Sequence, residues 1–226
     1  MQRAERLSRA GFGWQRVATH LLMALVTAAG CWYAVVSQPD LPLVHSLTIG
    51  TAYVALAQLA ATLLIGPWQL LRRGARNPAN INLRRDIGIW AGLVGTVHVV
   101  FGFQVHMGGN ILHYFIRPDS WMPQINVFGA ANFLGLGATL ILLLLLVLSN
   151  DLSLRKLKGR RWKAIQRFNY VLFALVLLHT FGYQFEVERI WILPAASIAV
   201  AALVLAAQAA GYRYYERNVV VNHKRG

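Results

Sequence analysis

Apolar positions in this chain come in long unbroken runs. Six of them fill most of its length, at roughly 14–36, 43–67, 87–106, 126–149, 168–184 and 190–211. A helix needs about 20 apolar residues to cross the hydrocarbon core of a bilayer. The pattern therefore predicts an all-α, polytopic six-helix transmembrane bundle in one domain spanning residues 1–226. Pro194 stands near the start of the sixth span, where a missing N–H costs least. The Ala-rich stretch at 200–210 suits close helix packing. "LILLLLLVLS" in the fourth span is featureless enough to face lipid.

Charge then orients the bundle. Of 22 Lys and Arg, 20 fall in four segments. These are the N-terminus (Arg3, Arg6, Arg9, Arg16), the loop after span two (Arg72, Arg73, Arg76, Arg84, Arg85), the loop after span four and the C-terminal tail (Arg213, Arg217, Lys224, Arg225). The loop after span four is the richest, with Arg155, Lys156, Lys158, Arg160, Arg161, Lys163 and Arg167. The alternate loops hold only Arg117 and Arg189, beside Asp40, Asp119, Glu186 and Glu188. Basic loops stay on the cytoplasmic side, so both termini are expected in the cytoplasm of a bacterial inner membrane. The formal net charge of +14 thus reports topology and attraction to anionic lipid, with no nucleic-acid partner. The single cysteine, Cys31, excludes an intrachain disulfide. "TAAGC" at 27–31 reads as a small-residue helix contact; Ala28 is small for a lipoprotein cleavage signal, so no cleavage is expected there.

Seven histidines remain to be placed. His223 lies in the tail, His113 in the long loop at 107–125, and His45 and His106 near the outer interface, where hydration explains them. His20, in the inner half of span one, is expected to hydrogen-bond a neighbouring helix. His98 and His179 are different. Both lie deep in apolar helix, on spans three and five, which run in the same direction. Counting about 1.5 Å per residue from the start of each span puts them at similar depth, in the outer half. An ionisable residue inside a bilayer is a functional candidate by default. One cofactor satisfies two such residues together: a haem iron takes neutral imidazoles from facing helices as axial ligands. Gly88, Gly92, Gly95 and Gly102 share one face of span three with His98, where missing side chains leave room for a flat macrocycle. The same stripe also serves close helix packing. Arg117 is the candidate partner for propionates on the outer side. Arg84 and Arg85, at the inner rim, read first as topology anchors. The loop at 107–125, with its turn signal Gly108-Gly109-Asn110 and the aromatics Tyr114, Phe115 and Trp121, is the candidate docking surface for a redox partner.

Two stretches carry a family likeness. "LRRDIGIWAGLVGTVH" (83–98) and "SNDLSLRKLKGRRWKAIQRFNYVLFALVLLH" (149–179) resemble the paired-arginine entry and the basic, Trp-Lys-led entry to the two His-bearing spans of the ferric-reductase-like transmembrane family. The size, with no flavin or nicotinamide domain in this chain, is most similar to the haem-binding membrane subunit of the bacterial periplasmic methionine sulfoxide reductase system. The resemblance implies iron ligands at His98 and His179. It also implies a further histidine in the pattern Trp-Lys-x-x-His-x-x-x-Tyr, where this chain has Trp162, Lys163, Gln166 and Tyr170. A glutamine amide is a poor iron ligand, so one haem b is expected and an inner second haem is not.

The expected function is a membrane b-type cytochrome. Single electrons would pass from quinol or a separate reductase to a periplasmic redox partner, making the chain one subunit of an oxidoreductase system. The alternatives are an accessory subunit that binds haem or lipid to scaffold a larger complex, and a transporter with both histidines in a polar pathway. No Asp or Glu within a span core argues against the transporter.

Overall fold

The computed structural model describes residues 2–73, 81–186 and 192–220. The order of elements is α1 (Gln2–Ser37), α2 (Leu43–Arg73), α3 (Ile81–Val105), two short 3₁₀ turns (Met107–Gly109 and Ile111–Tyr114), α4 (Val127–Val147), α5 (Asp151–Gln166), α6 (Phe168–Glu186) and α7 (Ile192–Tyr215), closed by a π-helical turn at Glu216–Val220. Six helices are long and apolar enough to cross a membrane: α1, α2, α3, α4, α6 and α7. They coincide with the six runs read from the sequence, and the protein is a multi-pass membrane protein. His223 and Arg189 lie outside the described residues.

The segment after span four is helical rather than a loop. Asn150 caps α5 by accepting from the Ser153 N–H, as a helix N-cap does. Lys158, at φ 55 and ψ 150, breaks α5 into two short pieces just before Gly159. Trp162 folds back and is buried, its indole N–H donating to Leu148 O at 3.2 Å. The basic segment is thereby tied to the end of α4.

The core lies where α2, α3, α4, α6 and α7 meet, around Leu56, Leu59, Leu63, Ala91, Leu145 and Phe173. Small residues let the backbones approach. A Cβ on Gly50 would come within 3.0 Å of the Cys31 backbone, so "TAAGC" is a helix contact with α2. Gly211 of α7 sits on Pro67, which lies inside α2, where a Cβ would meet the ring at 3.2 Å. Polar side chains tie helices together with few charges. Gln58 reaches Thr27 at 3.1 Å and Gln208 reaches Leu63 O at 2.8 Å.

Two contacts hold the outlying α1 to α3. Arg16 clasps Asp86 with both forks of its guanidinium, at 2.9 and 2.8 Å. One turn further along each helix, the Trp90 indole donates to His20 Nδ1 at 2.9 Å. His20 therefore serves helix packing, as its position predicts.

At the opposite end, the chain between α3 and α4 folds over the bundle. Met107 (φ 55), Gly108 (φ 59) and Gly109 (φ 79) make the turn in left-handed backbone, which glycine adopts without strain. Tyr114 then plunges into the bundle and is 1% exposed. Its hydroxyl accepts from His106 N at 2.8 Å, and the carbonyls of Gly102 and His106 both lie at 2.9 Å to receive its proton. Burial raises the phenol's pKa, so it stays a donor throughout the ordinary range.

The Arg16–Asp86 pair is asymmetric, since Asp86 is 1% exposed and Arg16 is 37% exposed. Arg16→Gln strands a buried carboxylate and is expected to cost about 3 kcal/mol or more. Asp86→Asn leaves a guanidinium already in contact with water and is expected to cost about 1 kcal/mol. Thermal unfolding in detergent, followed by tryptophan fluorescence, checks the order; equal midpoints would show that the pair does not hold α1 in place.

Candidate haem-binding site

His98 projects from α3 and His179 from α6. Their ring centroids are 6.3 Å apart and the ring planes are inclined by 78°. A metal–imidazole bond is about 2.0 Å and a ring centroid lies about 1.1 Å behind its nitrogen, so two imidazoles gripping one ion from opposite sides have centroids about 6 Å apart. The observed separation matches that arrangement.

Each ring is fixed from behind by backbone. His98 Nδ1 lies 3.0 Å from Thr48 O on α2, and His179 Nδ1 lies 2.7 Å from Ala131 O on α4. A carbonyl only accepts, so Nδ1 carries the proton in both rings. In the neutral imidazole this leaves the Nε2 lone pair for a metal. Such a bond from the far nitrogen is the usual support for a ligating histidine. No hydrogen bond from either Nε2 is found among the described residues.

Both rings face one cavity of about 750 Å³. At the loop end its wall includes His45, His106, Tyr114, Phe115 and Gln184. At the basic end it includes Arg84, Arg85, Lys163, Gln166 and Arg167. The middle is apolar, with Leu56, Leu59, Ala91, Leu142, Leu172 and Val176. Among the described residues no group of three or more His, Cys, Asp or Glu is placed to hold a metal. A metal held by these two imidazoles must therefore bring its remaining donors with it.

The four glycines of the α3 stripe, Gly88, Gly92, Gly95 and Gly102, all line the cavity. Two of them also seat leucines. A Cβ would come 2.9 Å from Leu146 at Gly92 and 2.7 Å from Leu142 at Gly95. The stripe thus opens the cavity and packs α4 at once. Arg117 is not brought to the cavity wall. The isolated antiparallel bridge between Ile116 and Pro123 carries it into the surface hairpin, and Tyr114 and Phe115 occupy the wall just before it. The cations that do line the wall are Arg84, Arg85, Lys163 and Arg167, at the other end.

Some site residues carry no plain signal in the sequence. Gly135 of α4 is one: a Cβ there would lie 2.7 Å from His179 Nδ1 and 2.8 Å from its Cε1. Tyr183 is another, one turn beyond His179, with ring centroids 5.0 Å apart; its hydroxyl donates to Asn132 at 2.6 Å. His45 and His106 approach to 5.8 Å at the loop end of the cavity, which is closer than two separately hydrated interfacial residues would come.

With this geometry in place, comparison with known proteins decides the family. The model of the ferric reductase-like transmembrane component matches residues 51–178. The chain belongs to that family. The matched stretch runs from α2 into α6 and contains His98, but stops one residue before His179. Among relatives, the chain is similar to the "Protein-methionine-sulfoxide reductase heme-binding subunit MsrQ" of Klebsiella pneumoniae. One such protein is 33% identical over 57% of this chain and 58% of its own length. Another, from strain 342, is 30% identical over 74% of this chain and 77% of its own. The protein of that name from Salmonella paratyphi B is 30% identical over 74% of this chain and 75% of its own.

The seat of His179 gives a direct test. Gly135→Ala is expected to displace the ring from Ala131 O and to cost about 1–3 kcal/mol by overpacking. Gly137→Ala meets only Leu175, at 3.7 Å, and is the control, expected to stay within about 0.5 kcal/mol. Thermal unfolding of both variants measures the difference, and similar midpoints would remove Gly135 from the site.

Proposed function

We propose that the protein is a membrane b-type cytochrome, an electron-transfer subunit that holds one haem between His98 and His179. The observation that carries this reading is the 6.3 Å separation of two imidazoles whose Nδ1 atoms are each tied to a backbone carbonyl. The absence of a third nearby metal-binding side chain among the described residues favours a metal that arrives in a macrocycle. The apolar middle of the cavity suits a porphyrin, and the relatives are named as haem-binding subunits.

When bound, such a haem would supply one-electron chemistry, with His98 and His179 as the residues that would hold it. The chain's own residues set the conditions. Thr48 and Ala131 hold the protons on Nδ1 and orient the rings. Gly135 leaves the His179 ring room to seat against α4. Leu142 and Leu146 shield the glycine face of α3. At Gln166 the chain offers an amide instead of an imidazole. Gln166 Oε1 accepts from Asn169 at 3.3 Å, and its Nε2 is buried without a partner. An amide nitrogen does not ligate iron, which supports one haem and no inner second one.

The basic end, with α5, is assigned to the cytoplasm of a bacterial inner membrane by the positive-inside rule. The hairpin end then faces the periplasm. There Ile111, Trp121, Met122 and Ile125 are exposed, with Ile125 at 83% and Trp121 at 74%. Exposed apolar side chains of this kind suit a docking redox protein. Quinol in the membrane, or a separate reductase, is the proposed electron source. The substitution at Gln166 also favours a second reading, a haem-bearing scaffold that conducts nothing, since it interrupts a relay across the membrane.

Purified protein is expected to show the paired reduced bands of a low-spin b haem, at one haem per chain. His98→Ala and His179→Ala are each expected to reduce haem content at least tenfold, with His113→Ala, off the cavity wall, retaining it. A folded, colourless parent would overturn the proposal and return attention to a transporter. Reduction by added quinol separates the electron carrier from the scaffold.

A further inference from the structure

The cavity is longer than one porphyrin. Arg85 precedes His98 by thirteen residues, and Gln166 precedes His179 by the same number. At about 1.5 Å per residue along α3, Arg85 lies about 20 Å from His98, and Gln166 stands at the end of α5, before the break at Arg167 that precedes α6. Bonds of about 1.5 Å along a pyrrole and propionate place a haem's carboxylates at about half that distance from its metal. A haem between His98 and His179 therefore leaves the basic half of the cavity unfilled.

That half has a definite character. Every fully charged side chain on the wall is cationic: Arg84, Arg85, Lys163 and Arg167. Among the described residues no carboxylate lines the cavity. Asp86, the nearest in sequence, is buried against Arg16 and stays off the wall. Beside the cations, Gln166 Nε2 is buried and makes no hydrogen bond. Deeper in, the wall turns apolar at Leu59, Ala91, Leu145 and Leu172. Four cations at the mouth of a greasy slot call for an anion with a hydrocarbon body. A quinone head is neutral and brings no counter-charge to the exposed Lys163 and Arg167. A second porphyrin lacks an imidazole at Gln166.

We infer that the basic half of the cavity binds one anionic glycerophospholipid, its phosphate among Lys163, Arg167, Arg84 and Arg85 and an acyl chain along Leu59, Ala91, Leu145 and Leu172. The lipid enters from the leaflet at the basic end, where Lys163, Arg167 and Tyr170 are exposed. It closes a gap that would otherwise admit water toward the imidazoles. This inference rests on the proposed position of the haem, so haem and lipid are counted separately.

The test uses the full chain in nanodiscs of phosphatidylcholine containing a minor fraction of phosphatidylglycerol. Native mass spectrometry after release counts the lipid retained per chain, and absorbance counts haem. The parent is expected to keep one phosphatidylglycerol in preference to phosphatidylcholine. The Lys163→Gln, Arg167→Gln double variant is expected to retain it about tenfold less, the loss of a charge-assisted contact, at unchanged haem content. Equal retention of the two lipids by the parent, a measurement that needs no variant, would overturn the inference. So would undiminished retention in the double variant, or a second haem or a quinone recovered at one per chain. A haem-free parent that still selects phosphatidylglycerol would sink the haem placement and leave the lipid site standing.

Discussion

The bundle is organised around two hydrogen bonds from imidazole to main chain. Each deep histidine needs a carbonyl at the right height on a different helix: Thr48 on α2 for His98, and Ala131 on α4 for His179. A helix carbonyl already accepts from the next turn, and its second lone pair points outward, where a neighbour can use it. Meeting that lone pair fixes the register of α3 against α2 and of α6 against α4. The close packing of those pairs follows, through Gly182 against Ala131 on one side and Gly102 beside Thr48 on the other. The two carbonyls orient the rings as a pair. That reduces the ordering a cofactor must impose when it binds.

The six spans were legible because their signal is long and redundant. Each apolar run coincides with a helix long enough to cross a bilayer. His98 and His179 stood out for a related reason: an imidazole flanked by apolar turns is expensive and demands a partner. His20 was legible too, as a packing residue, and it meets Trp90. What supports the rings was not legible. A main-chain carbonyl leaves no mark in a sequence, so Thr48 and Ala131 look like any helix residues. Gly135 lies in a leucine-rich helix with no histidine, and only the approach of α6 shows what it accommodates. Arg117 lies apart from the residues that line the cavity. It is the one basic residue of its loop, but a short hairpin takes its side chain off the cavity wall. The basic segment after span four reads as a loop because its charges hide the helical period. Its cap at Asn150 and the return of Trp162 are visible only in three dimensions.

The two ends of the molecule differ in construction. At the hairpin end, closure is by packing: Tyr114 and Phe128 stack near His106 and Tyr183. That end is sealed by aromatic rings and main-chain hydrogen bonds. At the basic end the wall carries long flexible cations: Arg84 and Arg85 from α3, Lys163 from α5, and Arg167 between α5 and α6. Side chains of that kind can part and rejoin at little cost.

The clasp between Arg16 and Asp86 has a consequence for biogenesis. The two residues are separated by 70 positions, and the chain emerges from the ribosome amino end first. The guanidinium on α1 is therefore already waiting at the membrane border when α3 arrives with its carboxylate. Insertion of the third helix never has to carry a bare negative charge into the lipid boundary, because its counterion was delivered two helices earlier.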